Sequence, residues 1–410
     1  MLNHANDKEG PSFVIGNIPK GRNMWDRDIE IDNIWKTLEN DNVLLTACRR
    51  FGKTSIMNKM KENPQDDFVC FMFNVQSMES PHDFTAALFE EICDDGKFVS
   101  FIKKAKNITQ EFLNRLEKLK ISVVDIELRE NKSPDWRDMT NNFVNVLSEY
   151  NGKILFLADE LPEFILNIAK HHSKDMANDF LNWFRTVRQS SKLSNIRWLV
   201  GGSIGIEHAI KRVDAKVHII NDFTIVVLKP FSIKVGRDYI TALLKKEGNF
   251  ITIPATIIDK IMTTIGAPVP YFIQILTKES LNAMNDAGKT TLTDEIIEEA
   301  YHKYVLGPSS KTYFQHYYDR LSEYYDPNDE NIVKRILAET ARKGIISRTE
   351  LFKLYKMIEV RHPSETRSND IMSDIQNDFY VEYDHKTDSY NFLTNILKDW
   401  WLRYHNIIEE

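Results

Sequence analysis

The sequence predicts an α/β protein in which a mostly parallel sheet is covered by helices. Short apolar runs typical of buried strands recur in the first 230 residues, at 43–46, 68–75, 153–158, 196–200 and 223–228. Helical patterns precede or separate them, at 25–38, 83–93, 101–118, 136–149 and 175–190. Strands that alternate with helices in this way form parallel sheets with both faces buried.

The first strand leads into a loop and then a helix, and this junction carries the clearest chemical signal in the chain. The apolar run 43–46 is followed by a loop that contains Gly52 and then Lys53-Thr54, and a helical pattern begins after it, at 55–60. A loop that feeds a helix N-terminus points several backbone N–H groups at one anion. Lys53 can reach the β- and γ-phosphates of a nucleotide, and the Thr54 hydroxyl can bind Mg²⁺. We therefore predict a nucleotide site rather than an ordinary strand–turn–helix, although Ala47 replaces the first glycine of the pattern G-x-x-x-x-G-K-[ST].

The third strand pattern, 153–158, ends in two carboxylates, Asp159 and Glu160. Ligands of open α/β sheets bind at the carboxyl ends of the strands. At that edge Asp159 can hold Mg²⁺ through water, and Glu160 can orient or deprotonate the attacking water. The alternative is an acidic pair that caps the helix beginning at Leu161-Pro162.

The fourth strand, 196–200, leads into a glycine-rich turn that contains Ser203. A small polar residue at this point can sense the γ-phosphate, and Ser203 is our candidate, with a helix cap as the alternative. Arg185 and Arg188, on the preceding helix, are candidates for charge-stabilising arginines, although surface ion pairing is the favoured role for both.

Beyond Pro230 the strand pattern gives way to helices. Four helical segments are predicted at 234–247, 254–265, 270–285 and 293–304, followed by an aromatic-rich helix from Tyr313 to Tyr325. The composition of residues 326–329, Asp-Pro-Asn-Asp, predicts a linker. After it, the order of a winged helix is indicated by helices at 331–342, 348–358 and 367–377 and a hairpin of strands at 380–383 and 389–392.

Composition narrows the class of protein. A chain of 410 residues is long for one hydrophobic core, so two or three domains are expected. The formal net charge of −7 gives no general attraction to nucleic acid. The sequence has neither a membrane-spanning run nor a signal-peptide pattern, and its three cysteines lack metal-ligand spacing. These features predict a cytoplasmic protein that does not act at a membrane.

Four motifs occur in one order along the chain, namely 49–55, Asp159-Glu160-Leu161-Pro162, 202–205 and 266–271. In this order they resemble the prokaryotic archaeal-type ATPases, which lie close to the signal-transducing ATPases with numerous domains (STAND) and to origin-recognition-type initiators. The resemblance spans about residues 15–405. It implies an additional-strand (ASCE-type) P-loop NTPase core with sheet order 5-1-4-3-2, followed by an α-helical lid and a C-terminal winged helix. The implied boundaries are a lead-in at 1–20, the core at 21–232, the lid at 233–326 and the winged helix at 327–410.

The resemblance also implies roles for individual residues. It implies that nucleotide is bound by Arg49, Arg50, Phe51, Gly52, Lys53, Thr54 and Ser55. Thr54 and Asp159 are the implied Mg²⁺ ligands, and Glu160, Lys53 and Ser203 form the predicted catalytic set. Gly266 and Pro268 match a Gly-x-Pro lid motif that packs near the bound nucleotide in the family. The Thr-x-Arg sensor found in many STAND proteins does not follow the fourth strand here, so the identity of the residue that senses the γ-phosphate stays open.

The predicted function is that of a slow Mg²⁺-dependent ATPase in which the nucleotide state sets the angle between core, lid and winged helix. ATP and ADP are the predicted ligands, and a protein partner or a second copy is predicted to bind the lid or the winged helix. Two alternatives stay open: a DNA-binding initiator or loader, and a non-hydrolysing, nucleotide-clamped scaffold for a defence or toxin-like partner.

DNA is not the favoured partner. The predicted recognition helix of the winged helix, at 367–377, carries the negative side chains of Asp370 and Asp374. Duplex binding needs several phosphate contacts. The basic residues that could cluster there are Arg361, His362, Arg367 and Lys386.

Overall fold

The computed structural model describes residues 10–105, 136–203, 205–360 and 362–405. The chain divides into two compact units. The first, here the sheet unit, comprises Arg27–Ala47 and Lys53–Leu228, and the second, here the helical unit, comprises Met1–Asp26, Cys48–Gly52 and Lys229–Glu410. Within the described ranges, every helix is too short or too polar to cross a membrane.

The sheet unit is built on five strands: β1 (Asn42–Thr46), β2 (Phe68–Asn74), β3 (Lys153–Asp159), β4 (Ile196–Gly202) and β5 (Phe223–Val227). Their order is β2-β3-β4-β1-β5, and every neighbouring pair is parallel. Read from the other edge this is 5-1-4-3-2, so the predicted α/β fold and its strand order are confirmed. The central strand β3 is buried from its second residue to its last, which explains its unbroken apolar sequence.

Eight α-helices accompany these strands in the described part of the sheet unit: α1 (Asp28–Leu38), α2 (Lys53–Glu62), α3 (Pro81–Cys93), α4 (Gly96–Ile102), α5 (Trp136–Leu147), α6 (Leu161–His171), α7 (Lys174–Arg188) and α8 (Ile206–Arg212). Short 3₁₀ turns lie at Ser191–Leu193 and Val217–Ile220. The bounds of most predicted helices agree with the observed bounds within three residues. The helix predicted over 101–118 is wrong at its start, because α4 already ends at Ile102, and its range from 106 onward lies outside the described residues.

The first part of the helical unit confirms the predicted run of helices: α9 (Ile233–Glu247), α10 (Ala255–Ile265), α11 (Pro270–Asp286), α12 (Asp294–Glu299) and α13 (Thr312–Tyr324). A π-helical segment, Ala300–Val305, continues α12 over the range predicted as one helix, and 3₁₀ turns lie at Gly21–Asn23 and Pro308–Ser310.

The rest of the helical unit, residues 327–404, is here called the C-terminal module: α14 (Pro327–Lys343), β6 (Ile345–Ser347), α15 (Arg348–Ile358), α16 (Glu365–Asn377), β7 (Val381–Asp384), β8 (Ser389–Phe392) and α17 (Asn395–Tyr404). Its strands form an antiparallel sheet in the order β6-β8-β7. The three helices and the hairpin follow the order predicted for a winged helix. The strand β6 and the helix α17 were not predicted from the sequence. Trp400 and Trp401 of α17 are fully buried and belong to the core of the module.

The linker predicted at 326–329 is wrong. Asp326 is the N-cap of α14, and its side chain accepts hydrogen bonds from the backbone N–H groups of Asn328 and Asp329. Pro327 occupies the first turn, where a missing N–H and a fixed φ are tolerated. Asp-Pro-Asn-Asp is therefore a helix start rather than a break.

Candidate nucleotide-binding site

The carboxyl ends of β1, β3 and β4 meet at one edge of the sheet. In the register of the sheet Thr46 lies beside Gly202, and Ala158 lies beside Val200. A Cβ at Gly201 would stand 2.5 Å from Asp159 Oδ1 and 3.2 Å from Lys53 Cδ. The absence of a side chain at position 201 therefore lets the Asp159 carboxylate and the Lys53 stem share this edge.

Four of the predicted site residues converge here. Lys53, the first residue of α2, places its Nζ 2.7 Å from Glu160 Oε1 and 3.1 Å from Asp159 Oδ1. The Thr54 hydroxyl donates a hydrogen bond of 2.6 Å to Asp159 Oδ2. Lys53 and Asp159 are 5% and 0% exposed, so these charges neutralise one another out of solvent. The predicted pairing of the phosphate loop with the acidic strand is present as a contact network.

Glu160 adopts a left-handed backbone conformation, with φ 65° and ψ 42°, at the junction between β3 and α6. For a residue with a Cβ this conformation costs about 1–2 kcal/mol. The Glu160 side chain makes no capping hydrogen bond to α6, so the capping alternative does not describe its contacts. Its carboxylate instead contacts Lys53 and accepts a hydrogen bond of 3.0 Å from the backbone N–H of Ser203.

Ser203 connects Glu160 to a second glutamate that the sequence reasoning missed. The Ser203 hydroxyl donates a hydrogen bond of 2.9 Å to Glu163 Oε1, while the Ser203 N–H holds Glu160. Glu163 is only 6% exposed. The spacing Glu160-x-x-Glu163 places two carboxyls one helical turn apart, and this was the available sequence signal.

The ionisation states differ between these neighbours. Burial raises the pKa of Glu163, and the Glu160 carboxylate raises it further, to about 8. Burial also opposes ionisation of Glu160, but the Lys53 ammonium and hydrogen bonds from Glu163 and Ser203 outweigh it and lower the pKa of Glu160 to about 2. Burial lowers the pKa of Lys53, yet Asp159 and Glu160 raise it above its usual value overall. At neutral pH Lys53 and Glu160 are therefore charged, and Glu163 is mostly protonated.

The donor set fits a magnesium nucleotide. Ser55 Oγ is buried and has no hydrogen-bond partner among the described residues, so a donor is left over next to Lys53-Thr54. The Thr54 hydroxyl and the Asp159 carboxylate are hard oxygen ligands of the kind that Mg²⁺ prefers. Thr54 is the second residue of α2, whose N-terminus favours an anion through the helix dipole, and its hydroxyl donates a hydrogen bond to the carboxylate of Asp159.

Residues 48–52, which include four of the predicted binding residues (Arg49, Arg50, Phe51 and Gly52), belong to the helical unit. The Tyr317 hydroxyl of α13 donates a hydrogen bond of 3.2 Å to the Arg49 carbonyl and lies 3.8 Å from Cys48 Sγ. The Arg50 guanidinium stands 4.8 Å from the centre of the Tyr271 ring of α11. The helical unit thus holds Arg49 and Arg50 by a backbone contact and a ring contact.

Phe51 and Gly52 complete this segment. The Phe51 ring lies 5.8 Å from the Phe379 ring of the C-terminal module. Gly52 has φ 97°, which favours glycine, whereas Ala47 is not among the residues with positive φ. The conformation of Ala47 thus explains why the first glycine of the pattern can be replaced.

Three other residues with predicted roles at the site, Pro268, Arg185 and Arg188, contact other parts of the protein. Pro268 is buried, packs against Gly236 of α9 and accepts a hydrogen bond of 3.1 Å from the Phe231 N–H. Arg188 pairs with Asp222 at 2.8 Å, but its side chain is 1% exposed, so this is a buried rather than a surface ion pair. Arg185 donates a hydrogen bond of 2.8 Å to the His218 carbonyl.

Two solved structures share this architecture. The Walker-type ATPase PABY2304 of Pyrococcus abyssi superposes with a TM-score of 0.63, at 16% identity, over 95% of this chain and 99% of that one. The ORC2 protein of Aeropyrum pernix, solved in ADPNP–ADP complexes, superposes with a TM-score of 0.54, at 10% identity, over 95% of each chain. No protein-family model matches the sequence, and no curated protein matches it either. The chain therefore has the fold of archaeal Walker-type and ORC-type P-loop ATPases, which confirms the resemblance at the level of fold.

Proposed function

We propose that this protein binds Mg-ATP at the site around Lys53 and hydrolyses it slowly. The observation that carries the proposal is the buried network of Lys53, Thr54, Asp159 and Glu160 at the carboxyl edge of the parallel sheet. The spare Ser55 hydroxyl supports it, as does the nucleotide content of the Aeropyrum pernix ORC2 structure.

Each residue has a separate part in binding. The Lys53 ammonium supplies positive charge to the β- and γ-phosphates, and the N–H groups at the start of α2 supply hydrogen bonds. Thr54 and Asp159 hold Mg²⁺, which neutralises charge on the phosphates. The segment 48–52 completes the loop, and Pro268 stays a candidate for contact with the nucleotide from the lid.

Glu160 orients the attacking water and takes up its proton. A general base works best when its pKa lies near the operating pH. Lys53 and the hydrogen bonds around Glu160 hold its pKa at about 2, far below neutrality, so it is a weak base. Ser203, our candidate for sensing the γ-phosphate, also fixes the direction of the Glu160 carboxylate.

The direct test is steady-state release of phosphate from ATP by the full-length protein, with Mg²⁺ and with excess EDTA. We expect release that depends on Mg²⁺ at a rate well below the roughly 10 s⁻¹ of a median enzyme. Binding of ATP without any release would favour the nucleotide-clamped scaffold instead.

We further propose that the protein is a nucleotide-dependent switch, with the domain boundaries given by the resemblance. The helical unit holds part of the loop itself, through Tyr317 on Arg49 and Phe379 on Phe51. A ligand that alters the conformation of segment 48–52 therefore acts directly on α13 and the C-terminal module. Such a shift requires that the ligand have different affinities for the two arrangements.

Hydrogen exchange tests the switch. We expect Mg-ATP to change the exchange of backbone amides in α13 (Thr312–Tyr324), because Tyr317 donates to the Arg49 carbonyl. The Tyr317→Phe variant, which lacks this hydrogen bond, should show a smaller nucleotide-dependent change. Tyr313→Phe, on the same helix but half-exposed, is the matched control. Identical exchange in α13 with and without Mg-ATP would contradict the switch.

The C-terminal module favours a protein partner or a second copy of the chain over DNA. Arg367, one of its candidate basic residues, forms an ion pair with Asp329. On the same helix, α16, Glu365 is exposed and Asp370 is half-exposed. Duplex binding depends on basic side chains that are available to contact phosphates, so the surface of α16 is poorly suited to bind DNA.

We propose that the protein acts in the cytoplasm.

A further inference from the structure

Arg50 and Phe379 both have left-handed backbones, and both lie in the helical unit. Arg50 has φ 71° within segment 48–52, and Phe379 has φ 61° between α16 and β7. This conformation is unfavourable for a residue with a Cβ, and it persists only where the surrounding contacts fix it. The contacts around these two residues therefore show what holds segment 48–52 in its conformation.

Both chain neighbours of Arg50 are fixed by contacts within the helical unit. The Tyr317 hydroxyl of α13 donates a hydrogen bond of 3.2 Å to the carbonyl of Arg49, the residue before Arg50. The residue after it, Phe51, is buried, and its ring lies 5.8 Å from the ring of Phe379. The loop is thus fixed on one side by α13 and on the other by the second left-handed residue.

A buried arginine of α13 fixes both chain neighbours of Phe379. Arg320 is fully buried, and its Nε donates a hydrogen bond of 2.8 Å to the Tyr380 hydroxyl. Its Nη2 donates a hydrogen bond of 3.0 Å to the carbonyl of Asp378. The guanidinium also lies 4.9 Å from the centre of the Tyr380 ring, within the range of a cation–π contact. The turn that carries the Phe379 ring is therefore anchored to α13.

The Tyr380 hydroxyl connects this turn to the residue that holds the loop. It accepts the hydrogen bond from Arg320 and donates one of 2.5 Å to the carbonyl of Tyr317. Tyr380 and Tyr317 are both fully buried, so water does not replace these contacts. The side chain of the same Tyr317 holds the Arg49 carbonyl. A residue of the C-terminal module is thus linked to the phosphate-binding loop through one tyrosine of α13.

We propose that Tyr317, Phe379 and Tyr380 are positioning residues that hold segment 48–52 in the conformation that receives the phosphates of Mg-ATP. This assignment rests on the proposed function and adds a means of regulation, because any change in the C-terminal module then alters ATP affinity. The three residues act through the loop rather than on the nucleotide itself. Lys53, at the start of α2, follows the loop directly. When only a fraction of the molecules has the competent loop, the apparent affinity falls by that fraction.

The first test removes one hydroxyl from the full-length protein. Tyr380→Phe keeps the ring but can neither accept from Arg320 nor donate to Tyr317. We expect its Kd for Mg-ATP, measured by calorimetric titration, to rise about five- to tenfold, the effect of one buried hydrogen bond. Tyr383→Phe in the same module is the matched control, because the Tyr383 hydroxyl donates to Asp388 of its own hairpin. Its Kd should stay within about twofold of wild type.

A double-mutant cycle tests whether Tyr380 acts through Tyr317. Tyr317→Phe loses the hydrogen bond to the Arg49 carbonyl and should raise the Kd by a similar factor. If the two residues act in series, the double variant should bind ATP about as weakly as the weaker single variant. Independent structural damage would instead multiply the two effects, and that result would overturn the proposal. Thermal unfolding without ligand shows that each variant is folded.

Phe379→Asn tests the ring contact and keeps the proposal testable if Tyr380→Phe does not fold. Asn adopts the left-handed conformation more readily than other residues with a Cβ, so the turn is kept while the contact with Phe51 is lost. We expect the Kd for Mg-ATP to rise about two- to tenfold. An unchanged or lower Kd in either folded variant would overturn the proposal. If the wild-type protein does not bind Mg-ATP, the proposed function itself fails.

Discussion

Lys53→Ala should abolish measurable binding of Mg-ATP and, with it, the rise in unfolding temperature that the ligand gives the wild-type protein. Lys53 is the cation of the site, and its Nζ contacts both Asp159 and Glu160. Without it the phosphates would meet two buried carboxylates that have lost their cation. A ligand present at 100 times its Kd stabilises a protein by about 2.7 kcal/mol, so the difference between variants is large. The measurement is thermal unfolding with and without Mg-ATP.

The control for this experiment is Lys59→Ala, on the same helix. Lys59 is partly exposed and pairs with Asp28 instead of the site carboxylates, so this variant should keep the wild-type response to nucleotide. Removal of Lys53 also leaves Asp159 and Glu160 buried without their cation, which costs about 3–5 kcal/mol. The unfolding temperature without ligand must therefore be compared as well. A Lys53→Ala protein that folds and still binds ATP normally would refute the assignment of the site.

Glu160→Gln should lower the rate of ATP hydrolysis by roughly 10²-fold or more while it leaves ATP binding intact. The substitution preserves the size of the side chain and removes only its basicity and charge. Asp159→Asn should behave differently, because Asp159 contacts both Lys53 and Thr54 and is the proposed metal ligand. We expect that variant to weaken both Mg-ATP binding and hydrolysis. Single-turnover hydrolysis and equilibrium binding, measured on the same preparations, separate the two roles.

Glu62→Gln, at the exposed end of α2, is the matched control for a change of Glu to Gln in the sheet unit. It should keep wild-type binding and turnover. Wild-type hydrolysis by Glu160→Gln would mean that the two carboxylates have been assigned wrongly. An ATP-bound Glu160→Gln protein would also be the best form in which to look for a self-associated state.

The contacts within the site explain how far sequence reasoning could reach. The strand pattern before Asp159-Glu160 and the loop before Lys53-Thr54 are local signals, and each predicts a position at the carboxyl edge of a parallel sheet. The spacing Glu160-x-x-Glu163 is a weaker signal, because the contacts of Glu163 depend on the left-handed turn at Glu160 and on Ser203, which follows β4. The sequence therefore predicted Asp159 and Glu160 but not the third carboxyl beside them, that of Glu163.

The other differences between the predicted and the observed structure also arise from contacts or lengths that a local sequence pattern does not reveal. Asp-Pro is compatible with a linker and with a helix start, and only the side-chain contacts of Asp326 decide for the helix. The strand β6 is three residues long, too short for an alternating pattern to be visible. The membership of segment 48–52 in the helical unit rests on long-range contacts such as that between Cys48 and Tyr317, which no local pattern contains.

The central claim, that Lys53, Thr54 and Asp159 form a Mg-ATP site, is tested most directly by calorimetric titration of the purified wild-type protein with ATP. The account predicts saturable binding of one ATP per chain in the presence of Mg²⁺, weaker binding when EDTA removes the metal, and no binding to Lys53→Ala. A wild-type protein that is folded and shows no saturable binding of ATP, with or without Mg²⁺, would contradict it.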